Sequence, residues 1–217
     1  MKTSSSVSSP ISPPNNRRRA IKKIASTAFV ALAAGLTSAC SQEEKPQFQS
    51  IDLTGADYAR DFLLADQNGQ VRSIKDFAGK AVVVFFGFTQ CPDICPTAMT
   101  ELAQIKKSLG PQGNKLQAVF ITVDPERDTL ELLKAYMGNF DPSFVALRPT
   151  LEQLSAVAKD FKIYYKKVEG STKGSYSMDH SAGSYVYDPK GRLRLYNRYG
   201  TGANGLAADL KLLLNNA

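Results

Sequence analysis

The sequence predicts an α/β domain with a mixed central sheet flanked by helices. Two runs of β-branched and aromatic residues are typical of strands that are buried on both faces. Segments with helical spacing alternate with these runs, which favours parallel pairing of the buried strands. A strand pair and a helix close the chain, so we also expect antiparallel strands. With 217 residues, 43% of them hydrophobic, the chain can form one sizeable core and is neither a disulfide-dense mini-protein nor a disordered chain.

The predicted elements follow one another along residues 51–217, which we expect to form one domain. Asn68 and Gly69 predict a tight turn, and hence an N-terminal hairpin between residues 62–64 and residue 71. The other predicted elements are, in chain order, a helical turn at 73–77, a buried strand at 81–88, a helix at 100–109, a buried strand at 116–123, helices at 130–137 and 151–161 (the latter capped by Thr150), strands at 184–187 and 193–196, and a helix at 206–214.

The net charge of +7 comes from the beginning of the chain. Residues 1–39 contain six of the 27 basic residues and no acidic residue. Residues 40–217 contain the remaining 21 basic residues and all 20 acidic ones, so they carry a net charge of about +1. This near balance argues against a polyanion-binding surface, and we expect no nucleic-acid partner.

Residues 1–39 have the order of a lipoprotein-type export signal. A basic cluster at 17–23 precedes an apolar run at 24–36, which is shorter than the roughly 20 residues of a membrane-spanning helix. Small residues then lead to Cys40, which resembles the cysteine that is lipidated in bacterial lipoproteins. Ordinary signal cleavage is the alternative, and the arginines of the basic cluster also resemble a twin-arginine export motif. We expect a lipid on Cys40, a spacer at 40–50, and an exported, membrane-anchored protein that faces the periplasm or the cell exterior.

Cys91 and Cys95 directly follow the first buried strand, in the segment Cys91-Pro92-Asp93-Ile94-Cys95-Pro96. Proline is tolerated only in the first turn of a helix, so the helix is predicted to begin between Pro92 and Pro96. The spacing of four brings the two side chains to within about 5–6 Å on a helix face. The pair is therefore able to form a disulfide or to hold one ion, and the helix N-terminus favours thiolates. Inert buried cysteines and a purely structural disulfide are the alternatives.

The donor inventory favours copper over zinc. A structural zinc site normally takes four nitrogen or sulfur ligands, but after Cys40 the chain has two cysteines and its only histidine, His180. Cu(I) accepts fewer ligands and prefers thiolates, with imidazole as a suitable third. His180 is predicted to lie in a polar loop just before strand 184–187, a strand able to neighbour strand 81–88. A histidine in such a loop is more often solvated. Asp179 is a candidate to orient its ring, and Met178 is a possible thioether donor.

Four segments occur in the order and spacing of a known family. They are the strand around Val84–Thr89, the Cys91–Pro96 box, the Asp124-Pro125-Glu126-Arg127-Asp128-Thr129 segment and Asp179-His180-Ser181. Together, over about residues 45–215, they resemble the Sco/SenC family of copper-binding cytochrome c oxidase assembly proteins.

The resemblance implies a thioredoxin-like fold that binds Cu(I) or Cu(II) through Cys91, Cys95 and His180. It also implies that the protein delivers copper to the dinuclear copper site of a cytochrome c oxidase subunit, or reduces the cysteines of that site. The expected partners are this subunit, a further copper chaperone or a thioredoxin-like reductant, and the membrane through the lipid. Asp124 is a second candidate to lie near the ligands, whereas Asp128 or Thr129 is expected to cap the helix at 130–137.

Three functions remain open at this point. The first is a metallochaperone. The second is a thiol–disulfide oxidoreductase in which Cys91 and Cys95 form the catalytic redox pair. The third is a lipoprotein with a stabilising disulfide. Oxidoreductases of this fold usually have two residues between their cysteines, so the third intervening residue and the distant histidine favour the metallochaperone.

Overall fold

The computed structural model of the chain describes residues 46–216. The predicted export signal, its basic cluster and Cys40, the predicted site of lipidation, lie outside the described residues. Within residues 46–216, no helix is long and apolar enough to cross a membrane. The last residues of the predicted spacer contact the domain, because the backbone amides of Gln49 and Ser50 each donate a 2.8 Å hydrogen bond to the Asp209 carboxylate.

An eight-stranded mixed sheet forms the centre of the domain, which confirms the predicted fold class. Its order is β1-β10-β9-β4-β5-β6-β2-β3, with β4, β5 and β6 parallel and the other neighbours antiparallel. The strands are β1 (Ile51–Asp52), β2 (Leu64–Asp66), β3 (Val71–Arg72), β4 (Ala81–Gly87), β5 (Leu116–Thr122), β6 (Val145–Arg148), β9 (Ser184–Tyr187) and β10 (Leu193–Asn197).

A separate two-stranded hairpin consists of β7 (Tyr165–Glu169) and β8 (Tyr176–His180). Within residues 46–216, four α-helices accompany the strands: α1 (Ile94–Ser108), α2 (Leu130–Gly138), α3 (Leu151–Asp160) and α4 (Ala203–Asn215). Two short 3₁₀ helices, Ile74–Phe77 and Gly110–Lys115, lie before β4 and before β5.

The core lies around β4 and β5, in which every residue is buried. β-Branched and aromatic side chains on both faces of these strands exclude water, and burial of such apolar surface is the main driving force of folding. The two strands pair in parallel from Ala81 opposite Leu116 to Gly87 opposite Thr122. Because parallel strands end at the same edge, the loops after Gly87 and Thr122 begin side by side, and both contribute to the site described below.

Most predicted elements are confirmed, with shifted boundaries. The N-terminal hairpin forms as β2 and β3, and the closing strand pair forms as β9 and β10, with β9 beside β4. Helix α1 begins at Ile94, between the two prolines as predicted. Thr150 and Thr129 cap α3 and α2.

The predicted polar loop around His180 is wrong, because residues 176–180 form strand β8 and His180 is its last residue. Side chains alternate between partly buried and exposed along β8, so Ser177 and Asp179 occupy the solvent face of a hairpin while His180 lies on the partly buried face. Strands β1, β6 and β7 were also missed. β1 and β6 are short, and most of β7 is exposed, so none forms a long apolar run.

Candidate metal centre

The two cysteines lie in the turn that leads from β4 into α1. The Cys91 amide donates a 3.2 Å hydrogen bond to the Phe88 carbonyl, which places Cys91 in a tight turn before the helix. Cys95 is the second residue of α1, and its amide donates to Cys91 Sγ at 3.5 Å. The sulfur of Cys91 therefore accepts one of the helix N-terminal amides that have no partner within the helix. Cys91 is partly exposed, whereas Cys95 is fully buried, and both thiols are free.

Gly87, the last residue of β4, leaves the space that the sulfur of Cys95 occupies. A Cβ atom at this position would lie 2.9 Å from Cys95 Sγ and 2.7 Å from the Phe120 ring. Only glycine leaves space for a buried sulfur between the strand and the helix. The role of Gly87 was not predicted from the sequence, since no pattern in the segment indicates that the sulfur of Cys95 packs against the end of β4.

His180 reaches the sulfurs from the end of β8. Its Nε2 atom lies 3.7 Å from Cys95 Sγ, and its Nδ1 atom lies 2.9 Å from the Ser181 carbonyl oxygen. A carbonyl only accepts hydrogen bonds, so Nδ1 carries the proton and the lone pair of Nε2 faces the sulfurs. The ring packs edge-on against Phe85 and Phe88, with centroid distances of 6.3 and 5.8 Å. These contacts hold the imidazole in one orientation.

One sulfur of each cysteine and one nitrogen of His180 lie within 4.8 Å of one another. His180 is 85 residues from Cys95 in the sequence, yet its ring nitrogen meets the two sulfurs where β4 ends and where β8 ends. Two soft thiolates and one imidazole suit Cu(I), which accepts a low coordination number. The structure thus brings together the three residues that the sequence singled out as candidate ligands.

Burial controls the protonation of this cluster. Burial, assisted by the contact with Cys91, raises the pKa of the Cys95 thiol well above its ordinary range. Burial also lowers the pKa of His180, which the hydrogen bond to Ser181 opposes. At neutral pH the metal-free site therefore holds a protonated Cys95 thiol and a neutral imidazole. A metal ion has to displace the thiol proton but meets a free nitrogen lone pair.

Asp128 lies beneath the cysteine turn. Its buried carboxylate accepts hydrogen bonds from the Thr89 amide (3.1 Å), the Thr89 hydroxyl (2.6 Å) and the Thr122 hydroxyl (2.5 Å). Burial raises its pKa, although these hydrogen bonds oppose the shift. Thr129, rather than Asp128, caps α2, since its hydroxyl accepts from the Leu132 amide at 3.2 Å. Asp128 instead connects Thr89, at the start of the turn that carries the cysteines, to Thr122 at the end of β5 by hydrogen bonds.

Neither additional acidic candidate forms a hydrogen bond to the three donor residues among the residues that the structure describes. Asp179 is exposed and lies opposite Lys166 in the β7–β8 hairpin, while the Nδ1 partner of His180 is the Ser181 carbonyl. Asp124 accepts from the Tyr176 hydroxyl at 2.9 Å and pairs with Arg127. Met178 packs partly buried against the core, on the same face of β8 as His180.

Comparison with known proteins identifies the relatives of this chain. A family model described as SCO1/SenC matches residues 52–215. The SCO2-like protein of Rickettsia felis is 38% identical over 133 residues, which cover 61% of this chain and 65% of that protein. The chain therefore spans somewhat less than two thirds of the length of this relative.

Solved structures show the same fold. Bradyrhizobium japonicum ScoI with copper bound is 38% identical, with a TM-score of 0.64 over 70% of this chain and 97% of ScoI. A SCO1/SenC family lipoprotein from Bacillus anthracis is 26% identical, with a TM-score of 0.61 over 70% of this chain and 92% of the lipoprotein. BsSco, a member of the Sco family of cytochrome c oxidase assembly proteins, is 23% identical, with a TM-score of 0.58 over 74% of this chain and 95% of BsSco, a similarity of fold alone. The thioredoxin-like fold is thereby confirmed.

Proposed function

Because the chain belongs to the SCO1/SenC family, we propose that it is a copper chaperone for the assembly of cytochrome c oxidase. It binds one copper ion through Cys91 Sγ, Cys95 Sγ and His180 Nε2 and passes the ion to the copper-bearing subunit of the oxidase. The observation that carries this proposal is the convergence of these three donors within 4.8 Å. Copper bound to the related ScoI supports the choice of metal.

The protonation of the site explains how copper enters and leaves. Binding releases the thiol protons, while His180 contributes a lone pair without losing a proton, because Nδ1–H already donates to the Ser181 carbonyl. Cys91 is the more exposed sulfur and is the first that an acceptor thiolate is able to replace. Copper then moves by ligand exchange, with Cys95 and His180 holding it until the acceptor supplies its own donors.

Copper titration of the reduced protein tests this assignment. We expect one tightly bound Cu(I) per chain, and a large loss of affinity when Cys91, Cys95 or His180 is changed to Ala. Met178→Leu is the matched control, since it preserves volume on the same strand face and should leave the affinity unchanged. Mixing the loaded protein with the copper-free domain of the oxidase subunit should transfer the ion. If His180→Ala binds copper as tightly as the wild type, the three-donor site is refuted.

A second candidate activity is thiol–disulfide exchange, which the unequal exposure of the two sulfurs favours. The Cys91 thiolate, next to the Cys95 amide, attacks one sulfur of a target disulfide, and the other target sulfur leaves. The Cys95 thiolate then attacks the mixed disulfide and releases the second target sulfur. The cysteine pair is oxidised, and its two protons pass to the target thiols. Reduction of the oxidised oxidase domain by Cys91→Ser at the wild-type rate would contradict this activity.

We further propose that a lipid on Cys40 tethers the protein outside the cytoplasm. The lipoprotein relative from Bacillus anthracis supports this placement, as do the basic cluster and apolar run before Cys40. Wild-type protein should sediment with membranes and carry a lipid on its N-terminal peptide by mass spectrometry. Cys40→Ser should be released from the membrane fraction. A Cys40→Ser protein that stays on the membrane would exclude this tether.

A further inference from the structure

The β7–β8 hairpin carries His180 but does not belong to the central sheet. Tyr176, Met178 and His180 share the partly buried face of β8, and Ser177 and Asp179 are exposed on the other face. At about 3.3 Å per residue, the side chains of Tyr176 and His180 are roughly 13 Å apart along the strand. The contacts of His180 with Phe85 and Phe88 hold one end of the strand, and a second attachment is needed to fix its direction.

Tyr176 provides this second attachment at the start of β8. Its hydroxyl donates to Asp124 Oδ1 at 2.9 Å, and its backbone carbonyl accepts from Arg127 Nη1 at 2.8 Å. The guanidinium carbon of Arg127 lies 3.6 Å from the centre of the Tyr176 ring, and Lys167 Nζ lies 3.9 Å from it. Both distances are within the range of cation–π attraction. Tyr176 is therefore held by its ring, its hydroxyl and its backbone.

The same arginine also contacts the turn that carries the cysteines. Arg127 Nη1 donates to Gln90 Oε1 at 3.0 Å, and Gln90 directly precedes Cys91. Arg127 is in turn paired with Asp124, so its guanidinium has a fixed position after β5. One side chain thus joins the turn before Cys91 to the strand that ends at His180.

We propose that Tyr176, held by Arg127 and Asp124, is a positioning residue that places His180 against the two sulfurs. This inference rests on the proposed three-donor site and deepens it. Tyr176 and His180 are the two ends of β8, so a movement of the Tyr176 end also changes the position of His180. Release of Tyr176 lets β8 pivot, so that Nε2 of His180 spends less time within reach of the sulfurs. Cys91 stays in place in the turn after β4, and Cys95 stays in place in α1.

A double-mutant cycle tests the role of Tyr176. We expect Tyr176→Ala to weaken Cu(I) binding on the order of tenfold, at the lower end of the effect of residues that orient metal ligands. In the His180→Ala background the same change should have no further effect, because the imidazole through which it acts is gone. Val168→Ala, on the exposed side of the same hairpin, is the control and should leave affinity unchanged. Tyr176→Phe keeps the ring but loses the bond to Asp124, and should give an intermediate loss.

Two spectroscopic measurements report on the imidazole of His180 directly, since the chain contains a single histidine. In the metal-free protein, the ring signals of His180 in an NMR spectrum should broaden or shift in Tyr176→Ala and not in Val168→Ala. In the Cu(II) protein, the imidazole nitrogen coupling in the electron paramagnetic resonance spectrum should weaken in the same variant. A purely structural role would lower the unfolding temperature without changing these signals selectively.

The outcomes separate this inference from the proposed function. If His180→Ala weakens copper binding but Tyr176→Ala and Tyr176→Phe leave both the affinity and the ring signals unchanged, only the positioning role is overturned. An equal loss from Tyr176→Ala in both backgrounds overturns it as well, because the effect would not pass through His180. If His180→Ala does not weaken binding, the three-donor site and the positioning role are both overturned.

Discussion

Gly87→Ala is the sharpest test of how the buried sulfur is accommodated. The added methyl carbon would lie 2.7 Å from Phe120 Cε2 and 2.9 Å from Cys95 Sγ, whereas ordinary contacts begin at 3.4 Å. Both neighbours are fully buried, so neither is able to swing into solvent. The sulfur and the ring must each move by about half an ångström or more. Overpacking of this kind costs about 1–3 kcal/mol.

That cost has two measurable consequences. At about 2–4 °C per kcal/mol for a chain of this size, the midpoint of thermal unfolding should fall by about 2–12 °C. Displacement of Cys95 Sγ should also weaken Cu(I) binding, which a competition titration measures. Gly138→Ala is the matched control, because a Cβ there meets nothing within 4 Å and alanine favours the helix, so its unfolding midpoint should stay or rise. Wild-type stability and wild-type copper affinity in Gly87→Ala would refute the reasoning.

Three further predictions concern capping and pH. Thr129→Ala removes the N-cap of α2 and should lower the free energy of unfolding in urea by about 1 kcal/mol, whereas Thr129→Ser should not. Burial alone would raise the pKa of Asp188, but Arg192 and Arg194 outweigh it and hold the pKa below its usual range. The Asp188 carboxylate therefore stabilises the fold above about pH 4, and this contribution is lost as the pH falls further. The free energy of unfolding of Asp188→Asn should consequently decrease less steeply with falling pH than that of the wild type. Burial raises the pKa of Cys95, so Cu(I) affinity should rise with pH between 6 and 8, by about tenfold per pH unit for each thiol proton released. Cys95→Ala should lower the slope of affinity against pH. An unchanged slope in this variant would contradict the release of a proton from Cys95.

Local sequence patterns were sufficient for the parts of the fold with the strongest physical signals. The continuous apolar runs identified β4 and β5, and Pro92 and Pro96 placed the start of α1 correctly. The hairpin that carries His180 was missed because its alternating residues are mostly polar or charged and form no apolar run. The partly buried positions at Tyr176, Met178 and His180 follow the two-residue period of a strand, and this was the signal available in the sequence.

The amino-acid sequence alone determined which atoms are available for chemistry: a cysteine pair at a helix start and one imidazole, a donor set that suits copper. Proline geometry and the number of donors are local properties, so they are readable without coordinates. Only the tertiary structure decided that His180 Nε2 lies 3.7 Å from Cys95 Sγ, and that Arg127 and Tyr176 join the two halves of the site. The physical reason is that these contacts join residues far apart in the chain, and their distances depend on how the sheet and the β7–β8 hairpin pack together.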